Sequence, residues 1–272
     1  LIDIKVKNKI FDCITFFNEN FITNIRFEIL NEFVDYFVVC ESIYDHRGQK
    51  KKLNFELLNK KYKSKLIYIV LEDKFESQNL WENQGKQREF IFNGLKLAND
   101  DDYIMFSDPD EIPNPNVLEN FKLRNKYGIF LQDCFCYKIN IFNKYESPWE
   151  GTRVVKKKDL KSIDYMRQKV VSKNLKYSFL RIDKEKNIQL IENGGWHFNN
   201  LMSPENISLK LKTFAHGEYA DDIYSSVKVI EEKIRKKIDL FNRGHVYELK
   251  KINHDYPKYI LDNLQIFNDF ID

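Results

Sequence analysis

Short apolar segments alternate with helix-like patterns through the first half of the chain. The segments that predict strands or helices cover residues 10–17, 22–33, 34–40, 66–71, 87–98 and 103–106. In the second of these, apolar residues return at spacings of three and four, as in a helix that packs one face on a sheet. Because strands that alternate with helices indicate parallel βαβ units, we predict an α/β fold with a mostly parallel, Rossmann-like sheet flanked by helices.

The second half of the chain predicts two more strands and then a helical C-terminal part. The strands are expected at 129–136 and 137–142. Ser203 followed by Pro204 is typical of a helix N-terminus, with the proline at the first helical position. Helical spacing of apolar residues in 257–271 predicts a closing helix. A chain of 272 residues with 43% hydrophobic residues suits one core, so we expect a single domain.

Composition excludes general disorder and gives no reason to expect a nucleic-acid partner. The chain has 22 Phe and 15 Tyr but only 9 Gly and 6 Pro, too aromatic for a disordered chain. Its formal net charge of +3 is too small to demand nucleic acid. Residues 156–186 nevertheless carry 11 Lys and Arg against 4 Asp and Glu, an excess of +7. This excess favours an anionic partner, such as an acidic or lipid-linked glycan or a membrane surface, and a solvated face is the alternative.

The cysteines and the apolar segments bear on location. All four cysteines lie in or beside apolar runs without metal-ligand spacing, which predicts buried thiols and a reducing compartment. No segment reaches about 18 uncharged apolar residues, and the first ten residues lack a signal-peptide core. The sequence therefore predicts a cytoplasmic protein, with the membrane surface as a further location.

Three carboxylates follow the predicted strand 103–106 directly. They are Asp108, Asp110 and Glu111. Ligands of open α/β sheets lie at the carboxyl ends of strands, which favours a functional role. On an extended backbone, Asp108 and Asp110 would point to the same side and could share one divalent cation that bridges the phosphates of a nucleotide-sugar. A polar turn is the alternative, because Asp and Pro are common turn residues.

Further candidate residues stand elsewhere in the chain. The indole of Trp196 could stack on a sugar, and the imidazole of His197 could bind the same metal. Glu41 follows the strand 34–40 and could accept from a ribose or base hydroxyl, while Arg88 could contact a pyrophosphate. Each also has a structural interpretation: a core Trp beside a satisfied His, a charged loop, and an exposed arginine on a helix.

Several motifs occur together and in order, and together they resemble glycosyltransferase family 17, the family of the β-1,4-mannosyl-glycoprotein N-acetylglucosaminyltransferase. The matching segments are VDYFVVCES at 34–42, SDPDEIP at 107–113, GWH at 195–197, SPE at 203–205 and PKYIL at 257–261. The resemblance runs from about residue 10 to the C-terminus. It implies a GT-A type fold, a UDP-sugar donor, a divalent metal, Mn²⁺ in most members with Mg²⁺ as the alternative, and inversion at the anomeric carbon.

Carried over by position, the resemblance implies that Asp108 and Asp110 form the acidic metal motif. It makes about 10–115 the nucleotide-sugar-binding half and about 116–272 the half with the acceptor site and the C-terminal helices. The implied activity moves a sugar, with N-acetylglucosamine as the first candidate, to a hydroxyl of a glycan or glycolipid. Inverting transfer needs a base, and Glu111 and Glu150 are equal candidates.

Another UDP-hexose donor and two other classes of protein remain as alternatives. A metal-dependent phosphohydrolase also clusters aspartates behind a strand, but it needs a nucleophile or a second metal site. None of the five histidines, which include His197 and His216, has another histidine close by in the sequence. A non-catalytic carbohydrate-binding protein could use the three tryptophans for stacking, but it has no need of a metal motif for a diphosphate.

Overall fold

The structure, a computed structural model, describes residues 8–213 and 219–272. His216 therefore lies outside the described residues. The strands are β1 Ile10–Phe16, β2 Tyr36–Ser42, β3 Leu66–Leu71, β4 Tyr103–Ser107, β5 Glu111–Pro113, β6 Tyr127–Cys136, β7 Ile141–Phe142, β8 Trp149–Lys156, β9 Ile188–Asn199 and β10 Glu248–Leu249. The α-helices are α1 Asn20–Leu30, α2 Leu80–Phe90, α3 Pro115–Leu118, α4 Ile163–Lys169, α5 Pro204–Thr213, α6 Asp222–Ser225, α7 Val227–Lys236 and α8 Lys258–Asp262.

The described strands form one sheet in the order β10-β7-β6-β8-β4-β1-β2-β3, with β9 beside β6 and β5 beside β9. The strands β3, β2, β1 and β4 are all parallel, as the βαβ pattern predicted. Beyond β4 the sheet is mixed, because β8 runs antiparallel to both β4 and β6 while β9 runs parallel to β6. The α/β class and the Rossmann-like parallel half are confirmed.

Helices cover both faces of the parallel half. Each face has its own hydrophobic core cluster, because adjacent residues of a strand point to opposite faces. Val39 packs in the cluster that includes residues of α1, whereas Val38 packs in the cluster that includes Ile163 and Met166 of α4. A third cluster joins the C-terminal helices α5 and α7 to β6 and β7. The four cysteines are buried free thiols, as predicted. Among the described residues, every helix is too short or too polar to cross a bilayer.

Several element boundaries differ from the predictions. The helix expected at 87–98 begins at Leu80, because the side chain of Asn79 accepts from the Trp81 N–H and caps it; a 3₁₀ turn at Ile91–Gly94 then ends it. The strand expected at 137–142 is reduced to β7, since Tyr137 has a φ of 68°. The closing helix is only α8, followed by a 3₁₀ segment at Leu264–Phe270.

Candidate active site

A tight turn follows β4 and contains both aspartates of the acidic motif, Asp108 at its first position and Asp110 at its third. The Glu111 N–H donates to the Asp108 carbonyl at 3.0 Å, with Pro109 second in the turn. Proline favours this position of a turn because its φ is already fixed. The extended backbone that we expected for 108–110 is therefore wrong. The turn leads into β5, where Glu111 pairs with His197 of β9.

Asp110 and His197 lie side by side at this edge of the sheet. The Asp110 Oδ1 is 3.6 Å from the His197 Nε2, and both residues are 7% exposed. Lys210 of α5 approaches the other carboxylate oxygen, with its Nζ 3.8 Å from Oδ2. The His197 Nδ1 is 3.7 Å from the Cys134 Sγ on the neighbouring strand, which orients the ring. Sequence reasoning missed Lys210, and its position in the helix after the Trp-His pair was the available signal.

Asp108 is paired with an arginine that sequence reasoning did not single out. The Arg167 Nη2 of α4 lies 2.8 Å from the Asp108 Oδ2. Burial raises the pKa of the Asp108 carboxyl, but the charges of Arg167 and Arg88, with smaller effects from His197 and Lys210, outweigh it and lower the pKa to about 2. Asp108 is therefore a carboxylate in a cationic environment. The only earlier signal of Arg167 was the basic excess of 156–186.

Glu111 is fully enclosed and supports its neighbours. Its Oε1 accepts from the Trp149 Nε1 at 2.7 Å and from the Arg167 Nη2 at 2.6 Å, and its Oε2 accepts from the Asp108 N–H at 3.2 Å. The Trp149 ring in turn packs 4.7 Å from the ring of His197. Glu111 thus connects Asp108 and Arg167 to Trp149, which the sequence analysis considered only as a stacking residue of the carbohydrate-binding alternative.

A buried ion pair between Arg26 and Asp12 lies next to the turn. Arg26 of α1 donates to both oxygens of Asp12, at 2.7 and 2.6 Å, and both residues are almost completely buried. The same guanidinium donates to the Glu111 carbonyl at 2.6 Å and to the Ser107 hydroxyl at 2.9 Å. The Ser107 side chain before the turn and the Glu111 backbone at its end are therefore bonded to Arg26 of α1.

Glu150 lies at the start of β8 and is partly open to solvent, with a side chain 28% exposed. Its carboxylate accepts from the backbone N–H and the hydroxyl of Ser172 and lies 3.3 Å from an Arg153 nitrogen. Its carbonyl receives bonds from Arg153 and Arg167. Glu150 is thus held beside the pair of Arg167 and Asp108.

The model of glycosyltransferase family 17 matches residues 3–253. The chain belongs to glycosyltransferase family 17. A search of curated proteins found no significant match. Among solved structures, the chain is similar to glucosyl-3-phosphoglycerate synthase from Mycobacterium tuberculosis in complex with Mn²⁺, UDP and phosphoglyceric acid. Identity is 9%, coverage is 93% of this chain and 91% of that chain, and the TM-score is 0.39. Family membership confirms the resemblance, makes the chain a glycosyltransferase, and supports the GT-A type for its α/β fold.

Three residues predicted to bind the nucleotide-sugar of this family 17 chain have other partners. Glu41 is fully buried and accepts from four groups within the chain. These are the Lys51 Nζ, the Asn54 and Phe55 N–H groups and the Tyr68 hydroxyl. Trp196 is 7% exposed in the main core, and its Nε1 donates to the Asp255 carbonyl, so its ring offers no open face for a sugar. Arg88 is 3% exposed and pairs with Asp164. Its effect on Asp108 is electrostatic: the positive charge of Arg88 lowers the pKa of the Asp108 carboxyl.

The side chains near the turn supply two of the ligands that a divalent cation needs. Asp110 and His197 direct an oxygen and a nitrogen to the same space, and both donor types suit Mn²⁺. Among residues 8–213 and 219–272, no three His, Cys, Asp or Glu side chains are arranged to hold a metal by themselves. A cation at this site would therefore need further ligands from a bound diphosphate or from water, or from Asp108 released by Arg167.

Proposed function

We propose that this family 17 chain is a metal-dependent, inverting glycosyltransferase that moves a sugar from a UDP-sugar to a hydroxyl of a glycan or glycolipid. The juxtaposition of Asp110 and His197 at the strand ends carries the proposal, because it supplies two metal-ligating side chains where ligands of α/β sheets lie. Asp110 and His197 would hold the cation. When bound, the cation would offset the negative charge that grows on the departing diphosphate.

Cationic side chains around the turn support binding of a diphosphate. Lys210 is 3.8 Å from Asp110, and its side chain is 21% exposed. Arg167 lies 2.8 Å from Asp108 and 2.6 Å from Glu111. A UDP-sugar carries its negative charge on the two phosphates, so Lys210 is suited to orient it by a charge-assisted hydrogen bond, while Arg167 adds positive charge next to the turn.

Inverting transfer forms a bond between the acceptor oxygen and the anomeric carbon while the bond from that carbon to the diphosphate breaks. The bonding pair leaves with UDP, and a base removes the proton of the acceptor hydroxyl. We assign the base to Glu150, because its carboxylate is partly exposed, and assign Glu111 to positioning, because it is enclosed and engaged by three donors. N-acetylglucosamine, which the family resemblance suggests, is the first donor sugar to test.

The deciding experiment measures release of UDP from UDP-N-acetylglucosamine, UDP-glucose, UDP-galactose and UDP-N-acetylgalactosamine. Each donor is tested with Mn²⁺, with Mg²⁺ and with chelator. We expect release from one donor only with metal, and a loss of at least about 100-fold in Asp110→Asn and His197→Gln, since each removes stabilisation of the leaving group. Asp101→Asn is the matched control, because Asp101 is an exposed carboxylate that pairs with surface lysines.

Binding of UDP is measured on the same proteins by calorimetry. UDP binding without turnover would point to a missing acceptor, and turnover that survives chelation would contradict the metal-dependent mechanism. A chain that binds free sugars but no UDP would be a carbohydrate-binding protein. Release of inorganic phosphate instead of UDP would favour a phosphohydrolase.

A further inference from the structure

A loop between α4 and β9 exposes three large apolar side chains in close succession. Phe179 is 83% exposed, Leu180 is 71% exposed and Ile182 is 94% exposed. Single exposed apolar residues are ordinary on protein surfaces, but adjacent ones at this exposure indicate an interaction site.

The loop is ordered by its own hydrogen bonds. The Arg181 N–H donates to the Ser178 carbonyl at 3.0 Å, which closes a turn with Phe179 and Leu180 at its two central positions. The Lys186 Nζ donates to the same carbonyl at 2.5 Å. Central turn positions usually hold Gly, Pro, Asn, Asp or Ser. Here the turn instead presents two large apolar side chains to solvent, at no gain to the core.

Basic side chains surround this apolar tip. Residues 173–186, which we call the basic loop, carry five cations against two carboxylates, a net charge of +3. The cations are Lys173, Lys176, Arg181, Lys184 and Lys186, and the carboxylates are Asp183 and Glu185. Two ion pairs lie within the loop, and Asp183 is the carboxylate of both, paired with Arg181 and with Lys184.

We propose that the basic loop docks this protein on a membrane surface that contains anionic lipids. The three apolar side chains enter the boundary between headgroups and acyl chains, and the surrounding lysines contact the lipid phosphates. The basic side chains around the apolar tip favour a bilayer over a second copy of this chain, since two copies would place these like charges against each other.

The loop begins directly beside the candidate site. Ser172, the residue before it, donates its backbone N–H and hydroxyl to Glu150. If Glu150 is the base, as the proposed function holds, a docked loop brings the acceptor side of the site to the bilayer. The acceptor class is then an amphipathic molecule, such as a lipid-linked sugar, whose hydroxyl stands at the headgroup level.

The test is co-sedimentation of the full chain with vesicles of phosphatidylcholine, alone or mixed with phosphatidylserine. We expect sedimentation only with the mixed vesicles, and weaker sedimentation as salt rises. The triple variant Phe179→Ser, Leu180→Ser, Ile182→Ser should lose at least about tenfold in apparent affinity, because no apolar side chain enters the interface. A second variant, Lys173→Gln, Lys176→Gln, Lys184→Gln, should lose binding while its apolar tip is intact.

The matched control replaces three other exposed apolar residues, Leu97, Ile223 and Val246, by Ser and should sediment like the native chain. Circular dichroism checks that every variant is folded. Equal binding to both vesicle types, no binding to either, or a triple variant that binds like the native chain would overturn the proposal. So would a native dimer in ultracentrifugation that the triple variant abolishes. The assay contains no donor or metal, so it fails or succeeds independently of the proposed transferase activity.

Discussion

Arg167 lies 2.8 Å from Asp108, and this ion pair links α4 to the first carboxylate of the acidic motif. Burial alone would raise the pKa of Asp108, yet Arg167 and the other nearby cations hold it at about 2, below its ordinary value of 3.8. A carboxyl with a lowered folded-state pKa stabilises the fold above its unfolded pKa and loses this contribution as pH falls through the folded value. We therefore expect the stabilisation by Asp108 to fade between about pH 4 and about pH 2.

The measurement is urea unfolding of the native chain and of Asp108→Asn at several pH values. The difference in unfolding free energy between the two should be constant above about pH 5 and should shrink steadily below about pH 4. The variant Asp73→Asn, which changes an exposed carboxylate, is the control. A difference that stays constant down to the acid limit would mean that the charge of Asp108 does not contribute.

We expect the ion pair of Arg26 and Asp12 to stabilise the fold and to fix the geometry of the turn from Asp108 to Glu111. Replacing Arg26 by Met leaves Asp12 as an unpaired buried charge, which should lower the free energy of unfolding by roughly 3–5 kcal/mol. The double variant Arg26→Met, Asp12→Leu should recover much of this loss, because no charge remains buried. It should still be a poor transferase, since the Glu111 carbonyl and the Ser107 hydroxyl lose the Arg26 guanidinium and keep only the hydroxyl of Thr152 as a partner.

Chemical unfolding and UDP release measured on the same preparations separate these two effects. Arg124→Met, at an exposed arginine, should change the unfolding free energy by less than about 0.5 kcal/mol. Full transferase activity in the double variant would mean that the turn keeps its geometry without Arg26.

The sequence could predict the parallel half and the place of the acidic motif, because both follow from short-range patterns. Alternation of apolar segments gives βαβ units, and a carboxylate cluster behind a strand falls at its carboxyl end. The partners of these carboxylates could not be predicted. Arg167 is 59 residues from Asp108 and Lys210 is 100 residues from Asp110, and only the packing of α4 and α5 brings them together. The strand β9 was missed because its sequence contains two glycines and several polar residues.

Trp149 and Trp196 illustrate why residue type alone did not separate a residue of the candidate site from a core residue. Trp149 contacts His197 and donates to Glu111, whereas Trp196 is bonded to Asp255 inside the core. Trp149→Phe keeps a ring at this place but removes a hydrogen bond to a carboxylate worth about 1.5–3 kcal/mol, so we expect UDP release to fall about tenfold or more.

Trp196→Ala should instead lower the unfolding free energy by about 3–5 kcal/mol, through the cavity it leaves. Thermal unfolding and steady-state kinetics on both variants provide the check, and Trp81→Phe, at a half-exposed tryptophan, is the control. A Trp196→Phe variant that stays stable but loses affinity for the donor would show that Trp196 does contribute to donor binding.

Glu150 and Glu111 should respond differently to the same conservative change. Glu150→Gln removes the proposed base but keeps a hydrogen-bonding side chain, so kcat should fall about 10²–10⁴-fold while UDP still binds. Glu111→Gln removes the buried partner of Arg167 and Trp149, so it should weaken both stability and donor binding. Stopped assays of transfer, calorimetry of UDP and unfolding curves give the three quantities. Glu119→Gln, at an exposed carboxylate, is the control. If Glu150→Gln keeps its kcat within tenfold, the proton of the acceptor hydroxyl goes to another group, and Glu150 only anchors Ser172.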